Sequence, residues 1–337
     1  MCIRDRYYLL GVFASAVLLF GMSYLYGTTG TTKLTEIGTA LTENPINAMQ
    51  VIAVVFIVAG FGFKVSAVPF HSWAPDTYEG APLNVTAFLS VASKAAGFVG
   101  LVTMLFVAMY AADGVYEPFI WVLAALTMTV GNVLALRQTN IVRMLAYSSV
   151  SQGGFILMPL AVIASGDAGE SALKSVVIYL LIYALSNLGA FAVVLAVTRR
   201  TGSAEISSFG GLMGYSPVLG MMLTLFLASL TGIPPFGLWI AKLQAFKTLI
   251  DAGDNAGYAL AIVAAVNTVI SAAYYMRVLR EMWMKPAPDG DVTPIDTPQP
   301  IWVALGICSV GTVVLGILPG LVLQFADLQD LTGAFGG

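Results

Sequence analysis

Long apolar stretches follow one another along almost the whole chain, separated by short polar segments. Nine of them reach the roughly twenty residues that an α-helix needs to cross a bilayer. They cover residues 7–27, 46–73, 81–110, 118–136, 141–163, 172–197, 216–250, 256–283 and 301–325. The pattern predicts an all-α, polytopic transmembrane helical bundle of about nine spans, without a polar segment long enough to form a second domain.

Two of these spans are predicted to be broken helices. The second and the seventh are longer than one simple crossing requires, and they contain Pro69 and the pair Pro234-Pro235, respectively. Proline removes a helical hydrogen bond and clashes with the preceding turn. Interrupted spans at corresponding positions of two halves are typical of inverted-repeat transporters, whose functional groups lie near the breaks.

The composition agrees with the bilayer as solvent and narrows the classes of function. Hydrophobic residues make up 58% of the chain and charged residues 10%, whereas soluble domains carry about 25% charged residues. The net charge of -3, without a basic run, excludes nucleic acid as a partner. Two separated cysteines and one histidine predict neither a disulfide framework, nor a metal site, nor paired-histidine haem ligation. We therefore expect no cofactor in this chain.

Basic residues outside the spans fall mostly on one side of the nine-span arrangement. The other side receives only Lys33 and Lys174. The basic side holds Arg4, Arg6, Arg137, Arg143, Arg199, Arg200, Arg277, Arg280 and Lys285. Because cytoplasmic loops carry the excess of lysine and arginine, this side is expected to be cytoplasmic and the C-terminus to lie on the other side of the membrane.

Lysines inside the spans are the strongest candidates for chemistry. Lys94 lies near the middle of its span, too far from either end to reach water by snorkelling. A charged lysine there costs at least about 2.5 kcal/mol and usually marks an ion path, although a structural ion pair is the alternative. Lys64 lies five residues before Pro69, and Lys242 follows the double proline by two helical turns. For Lys64, a lysine that snorkels from a helix end is the alternative.

A lysine relays protons only if its hold on the proton can be changed. Burial loosens that hold and a nearby carboxylate restores it, so a moving negative charge can load and unload the group. No carboxylate lies deep in any predicted span. His71, next to the break at Pro69, is a candidate for proton entry because histidine titrates near neutral pH. Asp76 and Glu79 in the same segment are as readily turn and capping residues as functional acids.

At these residues the chain resembles the antiporter-like membrane subunits of respiratory complex I. The residues from Phe63 to Pro82, FKVSAVPFHSWAPDTYEGAP, are similar to the family's broken-helix signature, and Ser90–Phe98, SVASKAAGF, resembles its next helix. The stretch Thr139–Ser149, TNIVRMLAYSS, resembles the subunit N branch of the family.

The resemblance implies fourteen transmembrane helices in two inverted repeats, of which this chain matches helices six to fourteen. Lys64 would be the seventh-helix lysine, Lys94 the connecting lysine of the eighth helix and Lys242 the lysine of the twelfth. The family's fifth-helix glutamate would precede residue 7. The implied domain is a single one over 1–337, with the remainder of the first repeat in 1–110, the second repeat in 118–283 and a final helix in 301–325.

The function implied is a proton-translocating membrane-arm subunit of NADH-quinone oxidoreductase, with Lys64, Lys94 and Lys242 as the relay. NADH, FMN, Fe-S clusters and quinone are then expected on partner subunits, and neighbouring antiporter-like subunits and the lipid bilayer are the expected partners. Two alternatives stay open. One is a subunit of a multi-chain Na⁺/H⁺ antiporter, and the other is a structural membrane scaffold whose lysines form fixed ion pairs.

Overall fold

The computed structural model describes residues 3–43, 45–164, 168–288 and 290–325. In these ranges the chain is helical, and its extended pairing is limited to one isolated bridge between Asn140 and Glu205. The longer helices are α1 (Ile3–Thr29), α2 (Leu34–Glu43), α3 (Ala48–Lys64), α4 (Trp73–Gly80), α5 (Leu83–Ala108), α6 (Asp113–Leu136), α7 (Ile141–Leu157), α8 (Ala168–Thr201), α9 (Pro217–Thr231), α10 (Gly237–Asp251), α11 (Asn255–Met284), α12 (Gln299–Ile317) and α13 (Pro319–Phe325).

The prediction of nine spans, two of them broken, is confirmed for the described ranges. Seven helices are long and apolar enough to cross a membrane, namely α1, α5, α6, α7 with its 3-10 extension, α8, α11 and α12. In the predicted span 46–73, α3 ends at Lys64 and the break follows it, with α4 beginning at Trp73. The predicted span 216–250 is divided into α9 and α10. The short helix α2 lies in the first long loop, where it presents Ile37 and Leu41 to the bundle.

Side chains at the helix starts fix where the spans begin. Asn47 accepts a hydrogen bond from the backbone N–H of Gln50, whose side chain accepts one in return from the N–H of Asn47. Asn140 caps α7 and Asp254 caps α11 in the same sense. These caps satisfy N–H groups that have no partner inside the helix.

Helix α7 is the centre of the bundle. In its span, Ile141–Val162, 94% of the residues in the apolar window are buried, against 17% for α1. Glycines let it approach α6 closely: a Cβ atom at Gly131 would lie 2.7 Å from the backbone N of Ser151, and one at Gly154 would lie 2.7 Å from that of Met128. Small residues in such seams allow tight helix packing inside a membrane.

Arginines gather at one end of the bundle, as the loop charges indicate. Arg143 at the start of α7 pairs with Asp76 and Glu79 of α4, and Arg6 of α1 pairs with Asp76. At the same end Arg277 donates to the carbonyls of Leu136 and Gln138. Arg200 pairs with Asp291. It lies near the Ala204 carbonyl, which accepts a hydrogen bond from the N–H of Ile141 at the start of α7. The side chain of Arg4, also predicted for this side, lies outside the described residues.

Candidate functional site

The first helix break follows Lys64, as the proline at position 69 predicts. Ser66 takes a left-handed conformation with φ of 61°. Its neighbours complete a turn, in which the N–H groups of Val65 and Ala67 donate to the carbonyls of Phe61 and Gly62. Side chains satisfy two more groups: Thr127 Oγ1 accepts from the N–H of Val68 at 2.9 Å, and Trp73 Nε1 donates to the Phe63 carbonyl at 2.9 Å.

Lys64 is the last residue of α3, but its backbone lies at the depth of Lys94. A Cβ atom at Gly97 would lie 3.1 Å from the Cβ atom of Lys64, and Gly97 is one turn from Lys94 in the middle of α5. The Lys64 side chain itself is exposed on the surface of the described bundle. A broken helix produces such a helix end beside the middle of another span.

Lys94 is 2% exposed and is held by Ser149 of α7. Its Nζ atom lies 2.5 Å from the Ser149 carbonyl oxygen and 2.7 Å from the Ser149 hydroxyl oxygen. The hydroxyl of Tyr183 donates to the same serine oxygen at 2.7 Å. Among the described residues Lys94 forms no ion pair, so the partners of this buried amine are all neutral.

The polar cluster around Lys94 continues along α8. Asn187, one turn after Tyr183, donates to the Ser90 hydroxyl at 2.7 Å, and Ser90 lies one turn before Lys94. The side-chain oxygen of Asn187 is buried without a hydrogen-bond partner in the described ranges. Lys94 therefore belongs to a row of hydroxyl and amide groups at the contact of α5, α7 and α8.

The second break contains Gly232, with φ of 93°, followed by Ile233 and the two prolines. Helix α9 ends at Thr231 because Gly232 turns the chain, with its N–H donating to the carbonyls of Ala228 and Ser229. Lys242, 4% exposed, reaches back across the break and donates to the Thr231 carbonyl at 2.8 Å. Its Nζ atom also lies 4.5 Å from the centre of the Phe155 ring, a favourable position for a cation.

Helix α7 separates the two buried lysines and contacts both. Ser149 binds Lys94 on one side, while Phe155, almost two turns later, lies against Lys242. Between them Gln152 accepts from the Tyr179 hydroxyl at 2.6 Å and donates to the Leu230 carbonyl at 3.0 Å. The structure thus brings Lys94 and Lys242 to different faces of one helix.

The sequence reasoning did not single out the groups that connect the lysines, which are Ser149, Gln152, Tyr179 and Tyr183. A signal for them was present. Serines and a glutamine follow closely at positions 148, 149, 151 and 152 inside an apolar span, and Tyr179, Tyr183 and Asn187 recur at four-residue spacing. That spacing places the three side chains on one face of a helix.

His71, Asp76 and Glu79 lie apart from this row, toward the arginine end of the bundle. His71 follows the first break, and its Nδ1 atom is buried without a hydrogen-bond partner in the described part of the chain. Arg143 Nη1 lies 3.1 Å from Asp76 Oδ1 and 2.7 Å from Glu79 Oε2. Both carboxylates therefore bind α4 to α7, a role that neither the turn reading nor the proton-transfer reading specified.

A loop at the same end anchors the second broken helix. The N–H of Ile295 donates to the Ser216 hydroxyl at the start of α9. Arg200 pairs with Asp291 at 2.9 Å. Hydrogen bonds from the backbone and hydroxyl of Thr293 and from Arg200 lower the pKa of the Asp291 carboxyl to about 2. The ionised Asp291 thus holds this loop against the end of α8 through Arg200.

Family comparison decides what this architecture belongs to. The model for the family described as NADH:quinone oxidoreductase/Mrp antiporter, transmembrane, matches residues 6–271. The chain belongs to this family. The resemblance seen in the sequence motifs is confirmed.

Similar proteins place the chain within the family. It is 45% identical over 324 residues to NADH-quinone oxidoreductase subunit N of Heliobacterium modesticaldum, which covers 96% of this chain and 66% of that protein. The curated relatives include subunit N of Mycobacterium tuberculosis, 41% identical over 328 residues, with 96% of this chain and 60% of the relative covered. The chain thus spans somewhat less than two thirds of the length of these relatives. The expected likeness to the subunit N branch is confirmed.

A solved structure agrees with the fold. The chain is similar to a chain of respiratory complex I from Thermus thermophilus, with a TM-score of 0.76 and 28% identity over 96% of this chain and 68% of the other. The two broken helices of the described residues hold Lys64 and Lys242 within this fold. The chain is a multi-pass membrane protein.

Proposed function

We propose that the chain is a proton-translocating membrane-arm subunit of an NADH-quinone oxidoreductase, in which Lys64, Lys94 and Lys242 relay protons. The observation that carries the proposal is the pair of buried amines, Lys94 and Lys242, each bound to uncharged groups and connected through α7. Because a charged lysine at this depth costs at least about 2.5 kcal/mol, a place of this kind favours a transport role. The relatives named subunit N support the same assignment.

The neutral surroundings of Lys94 and Lys242 suit a group that must change its protonation state. An approaching negative charge favours the ammonium form of a buried amine, and its withdrawal favours release of the proton. The hydroxyls of Ser149 and Tyr183 beside Lys94 can accept and donate hydrogen bonds, so they suit proton transfer to and from its Nζ atom. The exposed Lys64 is the first member of the relay and His71 a candidate for proton entry.

The proposal includes the setting of the chain. The redox reaction, with NADH, FMN, Fe-S clusters and quinone, belongs to other chains of the complex, and the neighbouring partners are other antiporter-like membrane subunits. Residues 1–110 then contribute to the first inverted repeat and 118–283 form the second. The arginine end of the bundle faces the cytoplasm of a bacterium and the C-terminus lies on the outer side of the inner membrane.

A subunit of a multi-chain Na⁺/H⁺ antiporter is the second candidate. The family model covers Mrp antiporters as well, and a chain of the Mrp complex from a Dietzia species matches the fold with a TM-score of 0.85 at 22% identity, covering 98% of this chain and 70% of the other. Co-purification with a quinone-reducing peripheral arm decides between the two. Hydrated passages at Lys64 and Lys242 would in turn exclude a scaffold, because a scaffold seals them.

The relay is tested by replacing Lys94 in the assembled, reconstituted complex. Lys94→Ala should remove this chain's share of the protons moved per NADH oxidised, because the relay loses its buried central amine, whereas protons moved by neighbouring antiporter-like subunits are unaffected. Internal pH and NADH oxidation are recorded together in sealed liposomes.

The control is a lysine outside the bundle. Lys33 is exposed and pairs with Glu36 at 2.9 Å, so Lys33→Ala should leave the proton stoichiometry unchanged. An unchanged stoichiometry in Lys94→Ala as well would overturn the proposed relay.

A further inference from the structure

Gln152 is the side chain through which the region of Lys94 meets the region of Lys242. It is 1% exposed and lies one turn from Ser149, the partner of Lys94. Its amide nitrogen binds the Leu230 carbonyl, next to the Thr231 carbonyl that Lys242 binds. One carboxamide thus lies between the two regions and is bound to the end of α9 beside the carbonyl that Lys242 binds.

The double proline explains why Gln152 and Lys242 bind adjacent carbonyls. In a continuous helix the Leu230 and Thr231 carbonyls would accept from the N–H groups four residues later, which here belong to Pro234 and Pro235. Proline has no N–H, so both carbonyls need donors from elsewhere. Gln152 supplies one donor and Lys242 the other.

This arrangement also fixes which way the carboxamide points. A backbone carbonyl can only accept, so the atom that faces Leu230 must be the amide nitrogen of Gln152. The side-chain oxygen then faces Tyr179, whose hydroxyl donates to it at 2.6 Å. Reversing the amide would set its oxygen against the carbonyl oxygen of Leu230 and lose that hydrogen bond.

We propose that Gln152 is a proton-blocking link between Lys94 and Lys242, which keeps the two sites separate. A carboxamide forms hydrogen bonds but is neither a useful acid nor a useful base near neutral pH. The side chain that lies between the two lysine regions therefore does not conduct protons. This inference rests on the proposed function of the two lysines.

The contacts of Gln152 and Lys242 both depend on the end of α9. Gln152 and Lys242 are attached to neighbouring carbonyls at the end of α9, so a shift of that end changes both contacts together. Gln152 is in this sense a positioning residue, which acts through the hydrogen bonds that it holds and does not itself carry the proton.

The test converts the amide into a group that can carry a proton. Gln152→Glu has nearly the same shape, but a carboxyl group can take up a proton from one side and release it to the other. In liposomes containing the assembled complex, without NADH, a potassium diffusion potential drives passive proton uptake, which an internal pH dye reports. Gln152→Glu should raise this passive proton flux by about tenfold or more.

Matched variants separate conduction from loss of packing. Gln152→Met keeps the length of the side chain and carries no titratable group, so its passive flux should stay within about twofold of the wild type, because only titratable groups add proton transfer. Adding Lys242→Met to Gln152→Glu should abolish the leak, since the path then lacks its acceptor. If the glutamate variant does not assemble, Gln152→His provides a second titratable side chain with the same expected leak.

The outcomes distinguish this inference from the proposed function. Equal flux in Gln152→Glu and Gln152→Met, or a leak that persists without Lys242, overturns the blocking role. An unchanged stoichiometry in Lys94→Ala overturns the proposed relay instead, and that measurement depends on NADH oxidation whereas the leak does not.

Discussion

Both helix breaks contain proline and free backbone groups from helical hydrogen bonds, but different side chains satisfy those groups at the two breaks. At the first break the freed backbone groups are satisfied by the turn itself and by Thr127 and Trp73, and Lys64 is left exposed. At the second break the freed carbonyls are satisfied by Gln152 and Lys242. At the second break a single hydrogen bond, from Lys242 to the Thr231 carbonyl, both positions a lysine amine and satisfies a freed backbone group. The first break has no such bond among the described residues. We infer that the first break is a fixed structural turn. At the second break the geometry of the backbone can be coupled to the protonation of Lys242.

The left-handed residue at each break shows the same difference. At the first it is Ser66, whose buried hydroxyl has no partner among the described residues, and at the second it is Gly232. A Cβ atom at Gly232 would lie 2.9 Å from the Cδ atom of Lys242. Serine fits the first break because only the backbone turns there. Glycine suits the second break because the Lys242 side chain lies where a Cβ atom would be.

The largest effect is expected for a side chain at Gly232. Gly232→Val should lower the free energy of unfolding by about 2 kcal/mol or more, because a branched residue is strained in this conformation and its side chain displaces Lys242. The midpoint of unfolding of the purified protein in detergent measures the change.

Gly202 provides the matched control for this change. It has φ of 66° but no atom within 4 Å of an added Cβ, so Gly202→Val should show the backbone strain alone, about 1–2 kcal/mol. Equal losses in the two variants would mean that the path of Lys242 does not constrain the second break.

A smaller effect is expected where the first break is braced. Thr127→Val keeps the shape of the side chain but removes the acceptor for the buried N–H of Val68, which should cost about 1–3 kcal/mol of unfolding free energy. Thr103→Val is the control, since the exposed Thr103 bonds only to its own helix and should change stability by less than about 0.5 kcal/mol. A neutral Thr127→Val would show that the brace lies elsewhere.

The smallest effect concerns the loop that anchors the second broken helix. The pKa of Asp291 is lowered to about 2, so the stabilisation from its ionised form is complete above about pH 4, the range of an unperturbed aspartate, and is lost as the pH falls through about 2. A spin label at Val292→Cys, an exposed site in this loop, should become more mobile over that interval. Asp291→Asn should show the mobile spectrum already at pH 7, and an immobile label there would contradict the anchoring role.

The breaks could be predicted from the sequence because a missing N–H acts in any surroundings. Pro69 and the pair Pro234-Pro235 therefore located both interruptions, and the mid-span position of Lys94 gave its burial. The partners could not be found in this way. The Leu230 carbonyl needs the donor from Gln152, 78 residues earlier, and Arg143 finds Asp76 67 residues away. Such pairs depend on how helices pack, which spacing along the chain does not determine.

Glutamine in an apolar span is also ambiguous by itself. Nothing in its immediate neighbours indicates whether the amide of Gln152 binds its own helix, another helix or water. The difference between Lys64 and Lys242 is of the same kind, since both stand near a proline and only packing exposes one and buries the other.

The burial of α7 has a consequence for how the protein enters the membrane. Of the seven long spans it is the least hydrophobic and the one with the largest buried share, because its serines and Gln152 face other helices. A segment of this kind gains little from contact with lipid tails, so its insertion should depend on α6 and α8 arriving beside it during synthesis. The same polar groups that bind other helices in the folded bundle should therefore make the insertion of α7 depend most strongly on its neighbouring helices.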